Sequence, residues 1–295
     1  MNKNKNKFFS AFILTAITAI WGSAFVVMKN TLRRLDVNSF LAWRFMIATL
    51  ILIILRPMVL HSFNKAFLKK GALIGTFLGS GYIFQSFGLT LTTVGKTGFI
   101  TGLYVVLTPI VAALFIKKTI TKLEWGAVLL ATAGLALLSF RGFQIGLGEF
   151  LVLVSALLFA LHIVALGEWA ADLDTYALTV LQLATCSAIT FLASLKSGFH
   201  VPPDAGVWKA IIYTALFATA LAFIVQTWAQ SFIPPATVAV ILAMEVVFAA
   251  IFGIWILNES LTLRIASGGA MVLVAMYAII FLDRSPIDVA GSTND

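Results

Sequence analysis

Apolar runs of helix length, separated by short polar breaks, fill nearly the whole chain. Ten can be drawn, at approximately 8–28, 38–56, 70–90, 97–116, 123–140, 146–167, 174–195, 207–227, 236–257 and 262–282. Each is about long enough, as a helix, to cross a hydrocarbon core of roughly 30 Å. They lack the period-two alternation over about ten residues that marks an outer-membrane barrel strand. The longest breaks lie around His61–Lys69 and Ser197–Val207, and no soluble domain fits between spans. The pattern predicts an all-α integral membrane protein of ten transmembrane helices. The run after MNKNKNK continues past the small residues Gly22-Ser23-Ala24 to Met28. It is too long for a signal-peptide core and reads as an uncleaved first helix.

Composition agrees with the pattern. The 295 residues are 61% hydrophobic and 11% charged, less than half the charge of an ordinary soluble domain, about 25%. The formal charge of +8 sits mainly between apolar runs, which fits membrane topology rather than a nucleic-acid partner. The expected surroundings are a lipid bilayer, in an inner or plasma membrane, around a monomer or homodimer. In the first half, Lys3, Lys5, Lys7, Arg56, Lys65, Lys69, Lys70, Lys117, Lys118 and Lys122 fall on the N-terminal side, against Lys29, Arg33, Arg34 and Lys96 opposite. Ten against four places the N-terminus in the cytoplasm. An even number of spans returns the C-terminus there. The second half votes weakly the other way, with Arg141, Lys196, Lys209 and Arg264 against Arg284. Five spans per half force the two halves into opposite orientations, so each half prefers its own N-terminus inside.

An internal repeat fits that inversion. YIFQSFGL (Tyr82–Leu89) aligns with FIVQTWAQ (Phe223–Gln230), putting Gln85 on Gln226 at an offset of 226 − 85 = 141. The same offset puts Ile100 on Ile241, Val105-Val106 on Val246-Val247, Lys118 on Glu259 and Thr121 on Thr262. The expected organisation is two inverted five-helix repeats, 1–141 and 142–283, followed by a disordered cytoplasmic tail, 284–295. An inverted repeat with a midplane site between its halves is common among secondary transporters. Gly71, Gly75 and Gly79, like Gly98 and Gly102, recur every fourth residue and suit close helix packing. Pro109, inside the fourth span, is expected to kink it, either as a plain structural bend or as part of a cavity wall or gate.

Soluble-enzyme signatures fail. Gly95-Lys96-Thr97 resembles the end of a phosphate loop, but Thr90 stands where the loop needs glycine. His61, His162 and His200 are scattered, and Cys186 is the only cysteine, so no metal or cofactor site is expected. The acidic residues Glu168, Asp172 and Asp174 read as a solvated loop. What remains is a sparse set of polar groups inside apolar runs. Glu245 is the sharpest, because a charge at the bilayer centre costs about 2.5–3.5 kcal/mol and normally faces a bundle interior or wet cavity. His162 lies mid-span, as a substrate or proton contact or as a neutral histidine bonded to backbone. Glu245 and His162 are the proton-coupling candidates. Gln85 and Gln226 need partners, in a helix contact or in a ligand. Trp21, Tyr82 and Tyr104 are aromatics with a polar handle that could line an amphipathic cavity. Trp228 reads as an interface-belt residue. Arg44, about two turns into the second span, reads as an interface-anchored arginine that snorkels or pairs.

These residues carry a family resemblance. AIWGSAFVVMKNTL followed by SFLAWRFMIATLIL, with Trp21, Gly22, Ser23, Phe25 and Arg44, resembles the opening of EamA-type members of the drug/metabolite transporter superfamily. GFITGLYVVLTPIVAALF, with Pro109, is similar to that family's fourth helix, and MEVVFAAIFGIWILNESLT, with Glu245 and Glu259, to its ninth. Val246, Asn258 and Lys118 depart from the family pattern, where proline, glycine and an acidic residue are usual. Val246 removes the proline that would kink helix nine. The resemblance implies ten helices in two inverted halves around a cavity lined by helices one, three, four, six, eight and nine. It implies alternating access, commonly for export of amino acids, other metabolites or amphipathic compounds. A small-molecule substrate would meet Glu245, Trp21, Tyr82, Gln85, Tyr104, His162 and Gln226.

Overall fold

The computed structural model describes residues 3–139, 146–257 and 262–282. Glu259, the tail from Asp283 onward and the pairing of Lys118 with Glu259 lie outside the described residues. The described residues are helical throughout, apart from short connections. The ten helices are α1 (Lys3–Thr31), α2 (Val37–Leu55), α3 (Lys65–Leu91), α4 (Val94–Gly102 continued by Tyr104–Phe115), α5 (Lys122–Ser139), α6 (Leu147–Trp169), α7 (Thr175–Ser197), α8 (Ala205–Ala215, a π-helical segment Leu216–Leu221, then Ala222–Gln230), α9 (Pro235–Leu242 continued by Met244–Leu257) and α10 (Leu263–Tyr277, ending in a π-helical segment Ala278–Leu282). Among the described residues, nine of them are long and apolar enough to cross a membrane. The fifth, at eighteen residues, opens on Lys122 and Glu124 and packs along α10.

Polar caps set the helix starts, and they repeat between the halves. Asp36 caps α2 and Asp174 caps α7; Asn64 caps α3 and Asp204 caps α8. Thr121 and Thr262, aligned by the repeat, accept from the backbone of Glu124 and Ile265 at the starts of α5 and α10. Each cap satisfies amide donors that the first helical turn leaves without a partner. All three acidic residues of the expected loop, Glu168, Asp172 and Asp174, are exposed, but Asp174 is a helix cap and Glu168 lies in the last turn of α6 rather than in a loop.

The polar and apolar residues are arranged inside out. Phe12, Ile54, Leu114, Phe115 and Trp255 point outward and exposed, whereas Arg44, Gln85, His162, Gln182, Gln226 and Glu245 are buried. That distribution suits hydrocarbon outside and a protected polar interior. The most extensive packing joins one half to the other: α3 with α6 and α7, α5 with α10, α2 with α7, and α1 with α9. The glycine stripe of α3 serves this interface. A Cβ on Gly71 would meet the Leu181 side chain, one on Gly75 the Gln182 carbonyl at 2.6 Å, and one on Gly79 the Cys186 backbone at 3.1 Å.

Two expectations about bends need correcting. The fourth helix does not break at Pro109. It breaks at Leu103, a turn and a half earlier, while Pro109 is buried within the second segment. Proline lacks the amide that would bond to residue 105, so the helix is weakened on its N-terminal side. The ninth helix breaks at Ala243 without any proline. Both breaks close with three-residue bonds, Val106 N–H to Leu103 O at 3.0 Å and Val246 N–H to Ala243 O at 3.2 Å.

Candidate functional site

The breaks in α4 and α9 flank a common cavity, to which Thr101 and Tyr104 contribute from one and Leu242 and Glu245 from the other. It is lined from α1, α3, α4, α6, α8 and α9, and also by Arg44 of α2. The structure brings together at this cavity all seven residues singled out from sequence: Trp21, Tyr82, Gln85, Tyr104, His162, Gln226 and Glu245. Pro109 does not line it. Trp228 packs at the end of α8 against Phe9 and Phe232.

Glu245 is the second residue of the second segment of α9, two residues after the break at Ala243. The residue is 7% exposed, and its Oε1 accepts from the Tyr104 hydroxyl at 3.4 Å, a long hydrogen bond. Tyr104 opens the second segment of α4. The two side chains occupy the same place in the repeat, at 245 − 104 = 141. Trp21 and His162 share that offset, as do Gln85 and Gln226. Three repeat-related pairs therefore line one cavity.

The two glutamines hold helices together while facing the cavity. Gln85 Nε2 donates to Thr101 Oγ1 at 3.1 Å, joining α3 to α4. Gln226 Nε2 donates to Gln230 Oε1 at 3.0 Å, and Gln230 Nε2 to the Ile163 carbonyl at 2.8 Å, joining α8 to α6. His162 bonds to a side chain, not to backbone. Its Nε2 lies 2.8 Å from Gln182 Oε1, and Gln182 Nε2 donates to Thr227 Oγ1 at 3.0 Å. In this arrangement Nε2 carries the proton and Nδ1 is the basic nitrogen. Phe223 meets Trp21, Tyr82 and His162 with centroids at 5.7, 6.2 and 6.0 Å, and forms the apolar floor of the site with Phe159.

Arg44 does not snorkel, and among the described residues it forms no ion pair. It is 1% exposed. Its Nε donates to Thr219 Oγ1 at 2.6 Å, Nη2 to the Ala218 carbonyl at 3.1 Å, and Nη1 reaches Met28 Sδ at 3.4 Å. The guanidinium also lies 4.7 Å from the Tyr82 ring centroid, a cation–π contact. Ala218 and Thr219 belong to the π-helical segment of α8. A π turn disturbs the regular carbonyl pattern of a helix, and here the Ala218 carbonyl also accepts from Trp21 Nε1 at 2.9 Å. The sequence pointed Arg44 to the interface rather than to this cavity, and it did not single out Phe159 or Phe223. A charge in an apolar run was the signal for Arg44, masked by its nearness to a span end. Phe159 and Phe223 gave no signal.

At one end of the bundle, outside the cavity, Lys96 Nζ meets Glu149 Oε1 at 2.9 Å, and Thr92 Oγ1 donates to the same oxygen at 2.6 Å. Lys29 Nζ reaches the carbonyls of Leu89 and Thr92 at the end of α3. The cluster ties α1, α3, α4 and α6 together. Among the described residues, no group of three or more His, Cys, Asp or Glu side chains could hold a metal ion.

Known proteins match this architecture. The profile of the EamA-like transporter family matches residues 9–140 and again 146–281. An "uncharacterized transporter" of Archaeoglobus fulgidus is 34% identical over 271 residues, covering 90% of this chain and 84% of the relative. The Bacillus subtilis "uncharacterized transporter YyaM" is 24% identical, covering 72% of this chain and 74% of its own. A solved crystal structure superposes with a TM-score of 0.77 over 93% of this chain and 98% of its own, at 15% identity, which speaks to the fold alone.

Proposed function

Because the chain belongs to the EamA-like transporter family, we propose that its central cavity is the substrate site of a secondary transporter working by alternating access. It is a multi-pass membrane transporter, and neither its family nor its relatives point to an enzyme. The observation that carries the proposal is the buried Glu245, unpaired by any cation among the described residues, on the wall of a central cavity between the halves. An unpaired carboxylate at that depth asks for a proton, water or a cationic ligand group. Glu245 would meet the cationic group of a substrate or a coupling proton, with His162 Nδ1 as the second proton-accepting group.

The lining suits small amphipathic molecules: phenylalanine and tryptophan faces for an apolar body, glutamine amides and phenols for polar groups. Amino acids and related metabolites are the class we favour, moved outward across an inner membrane with both termini cytoplasmic. The repeats 1–141 and 142–283 would supply the two arrangements of the cavity. The breaks at Leu103 and Ala243 flank the site and are the natural places for α4 and α9 to change direction. Binding alone moves nothing; the substrate must stabilise the states between inward and outward forms differently from the resting one.

The test is flux through purified protein in proteoliposomes, over a panel of amino acids, nucleobases and amphipathic cations, with and without a proton gradient. Saturable flux of one class is expected, and Glu245→Gln should abolish or uncouple it in folded protein. Absence of flux for every solute from folded protein would overturn the transport proposal. Unchanged kinetics of the Gln variant at every pH would remove Glu245 from it.

A further inference from the structure

The cavity wall holds a second buried charge, which the transport reading leaves unused. Arg44 is among the most deeply buried large side chains described, and its partners among the described residues are neutral: a hydroxyl, a backbone carbonyl, a thioether and the rings of Tyr82 and Phe45. Among the described residues the ion pairs are Arg34–Asp204, Arg56–Asp174, Lys96–Glu149 and His200–Asp36, none of which involves Arg44. Glu245 is engaged instead by Tyr104, on the α4 side. A buried cation with only neutral partners is costly, and an anion is the group that would relieve it.

The geometry leaves room for one. A guanidinium has five N–H donors. The three bonds use one donor on each nitrogen and leave one N–H on each terminal nitrogen, with only the Tyr82 hydroxyl beside them as a further protein partner, on a side chain that lines the cavity. Paired terminal N–H groups match the two oxygens of a carboxylate. The side chain is also fixed beforehand. The π-helical segment of α8 supplies two of its acceptors, and the Tyr82 ring covers one face. Little further order must be imposed when an anion arrives, which favours binding.

We propose that Arg44 is the anion-binding group of the cavity and takes the carboxylate of the ligand. This rests on the transport reading and sharpens it. With Glu245 on the α4–α9 wall and Arg44 held against α8, the site would carry one fixed charge of each sign, around Tyr82, Phe223 and Trp21. Its ligand class is then a zwitterion with an apolar body, rather than a simple amphipathic cation.

The experiment is thermal melting of the full chain in detergent with matched probes: isovalerate, 3-phenylpropionate and 3-indolepropionate, each against its amide. The members of a pair differ little but in charge. At least one acid is expected to stabilise the protein more than its amide. Arg44→Gln should erase that difference, weakening the acid roughly tenfold to a hundredfold, and Arg44→Lys should keep part of it. Equal stabilisation by acid and amide across all three pairs in the unmodified protein overturns the proposal, even if Arg44→Gln fails to fold. So does a preference that survives in Arg44→Gln, or equal protection by chloride alone. The readout is independent of flux. Failed transport with a clear acid preference would sink the transport reading and keep this one. Flux of cations with no acid preference would do the reverse.

Discussion

Tyr104 and Glu245 are 141 residues apart in sequence, occupy the same place in the two repeats, and touch across the centre of the molecule at 3.4 Å. Each follows a helix break, so the repeat delivers two backbones to one spot. Divergence between the halves has put a phenol on one and a carboxylate on the other.

That contact makes a coupled prediction. Glu245→Gln should lose most of the flux and its pH dependence. Tyr104→Phe should lower flux less, because a 3.4 Å hydrogen bond is weak. If the phenol acts through the carboxylate, the double variant is no worse than Glu245→Gln alone. Proteoliposome flux on the four proteins decides; additive losses would show that Tyr104 acts independently.

Two helical glycines should respond oppositely to alanine. A Cβ on Gly22 would lie 2.7 Å from the Glu245 carbonyl and 2.8 Å from the Ala249 amide, both backbone atoms of α9 that cannot step aside. Gly22→Ala should cost about 1–3 kcal/mol by prising α1 from α9. Gly98 has only Val246 methyls at 3.9 Å, and Gly98→Ala should be neutral or stabilise by up to about 1 kcal/mol through helix propensity. Thermal melting of both variants tests the contrast.

Thr219→Val keeps shape and removes the acceptor of the Arg44 Nε bond. It leaves a buried charged donor unsatisfied and should lower stability by about 1–3 kcal/mol. A melting temperature equal to that of the unmodified protein would mean that Arg44 finds another acceptor.

Outside the spans, Asp36 and Asp174 predict acid sensitivity. Burial raises both carboxyls, but hydrogen bonds outweigh it and hold both below the ordinary value: for Asp36, from Ser39 and His200, and for Asp174, from the backbone of Ala177 and from Arg56. A depressed carboxyl stabilises the fold above its unfolded pKa of about 4 and loses that stabilisation as pH falls through the folded value. Melting temperature should therefore drop below about pH 4. Asp174→Asn keeps the cap and should cost under about 1 kcal/mol, since the Arg56 pair is partly exposed. Asp174→Ala loses the cap as well and should cost about 1–2 kcal/mol.

Much of the site was legible because polar groups within apolar runs have few places to go. Glu245, His162, Gln85 and Gln226 could not face lipid, and they converge on the one region that hydrocarbon does not reach. Arg44 was misplaced by the same logic, because its span end offered an apparent escape to the interface. The bend in α9 was unreadable: Ala243 carries no helix-breaking signal, and the proline that would have given one is absent. Pro109 drew attention to the right helix, but the break sits a turn and a half upstream, at Leu103.

The interleaving of the halves bears on how the protein is made. Arg56, just past the end of α2, waits for Asp174 at the start of α7, and Asp36 waits for His200, 164 residues later. The glycine stripe of α3 likewise meets nothing until Leu181, Gln182 and Cys186 have been synthesised. The first five spans thus enter the bilayer with their chief packing faces still open. They must be kept apart from other nascent chains until α6 and α7 arrive. A break in translation between the halves should therefore leave a fragment for quality control to remove, not half a transporter.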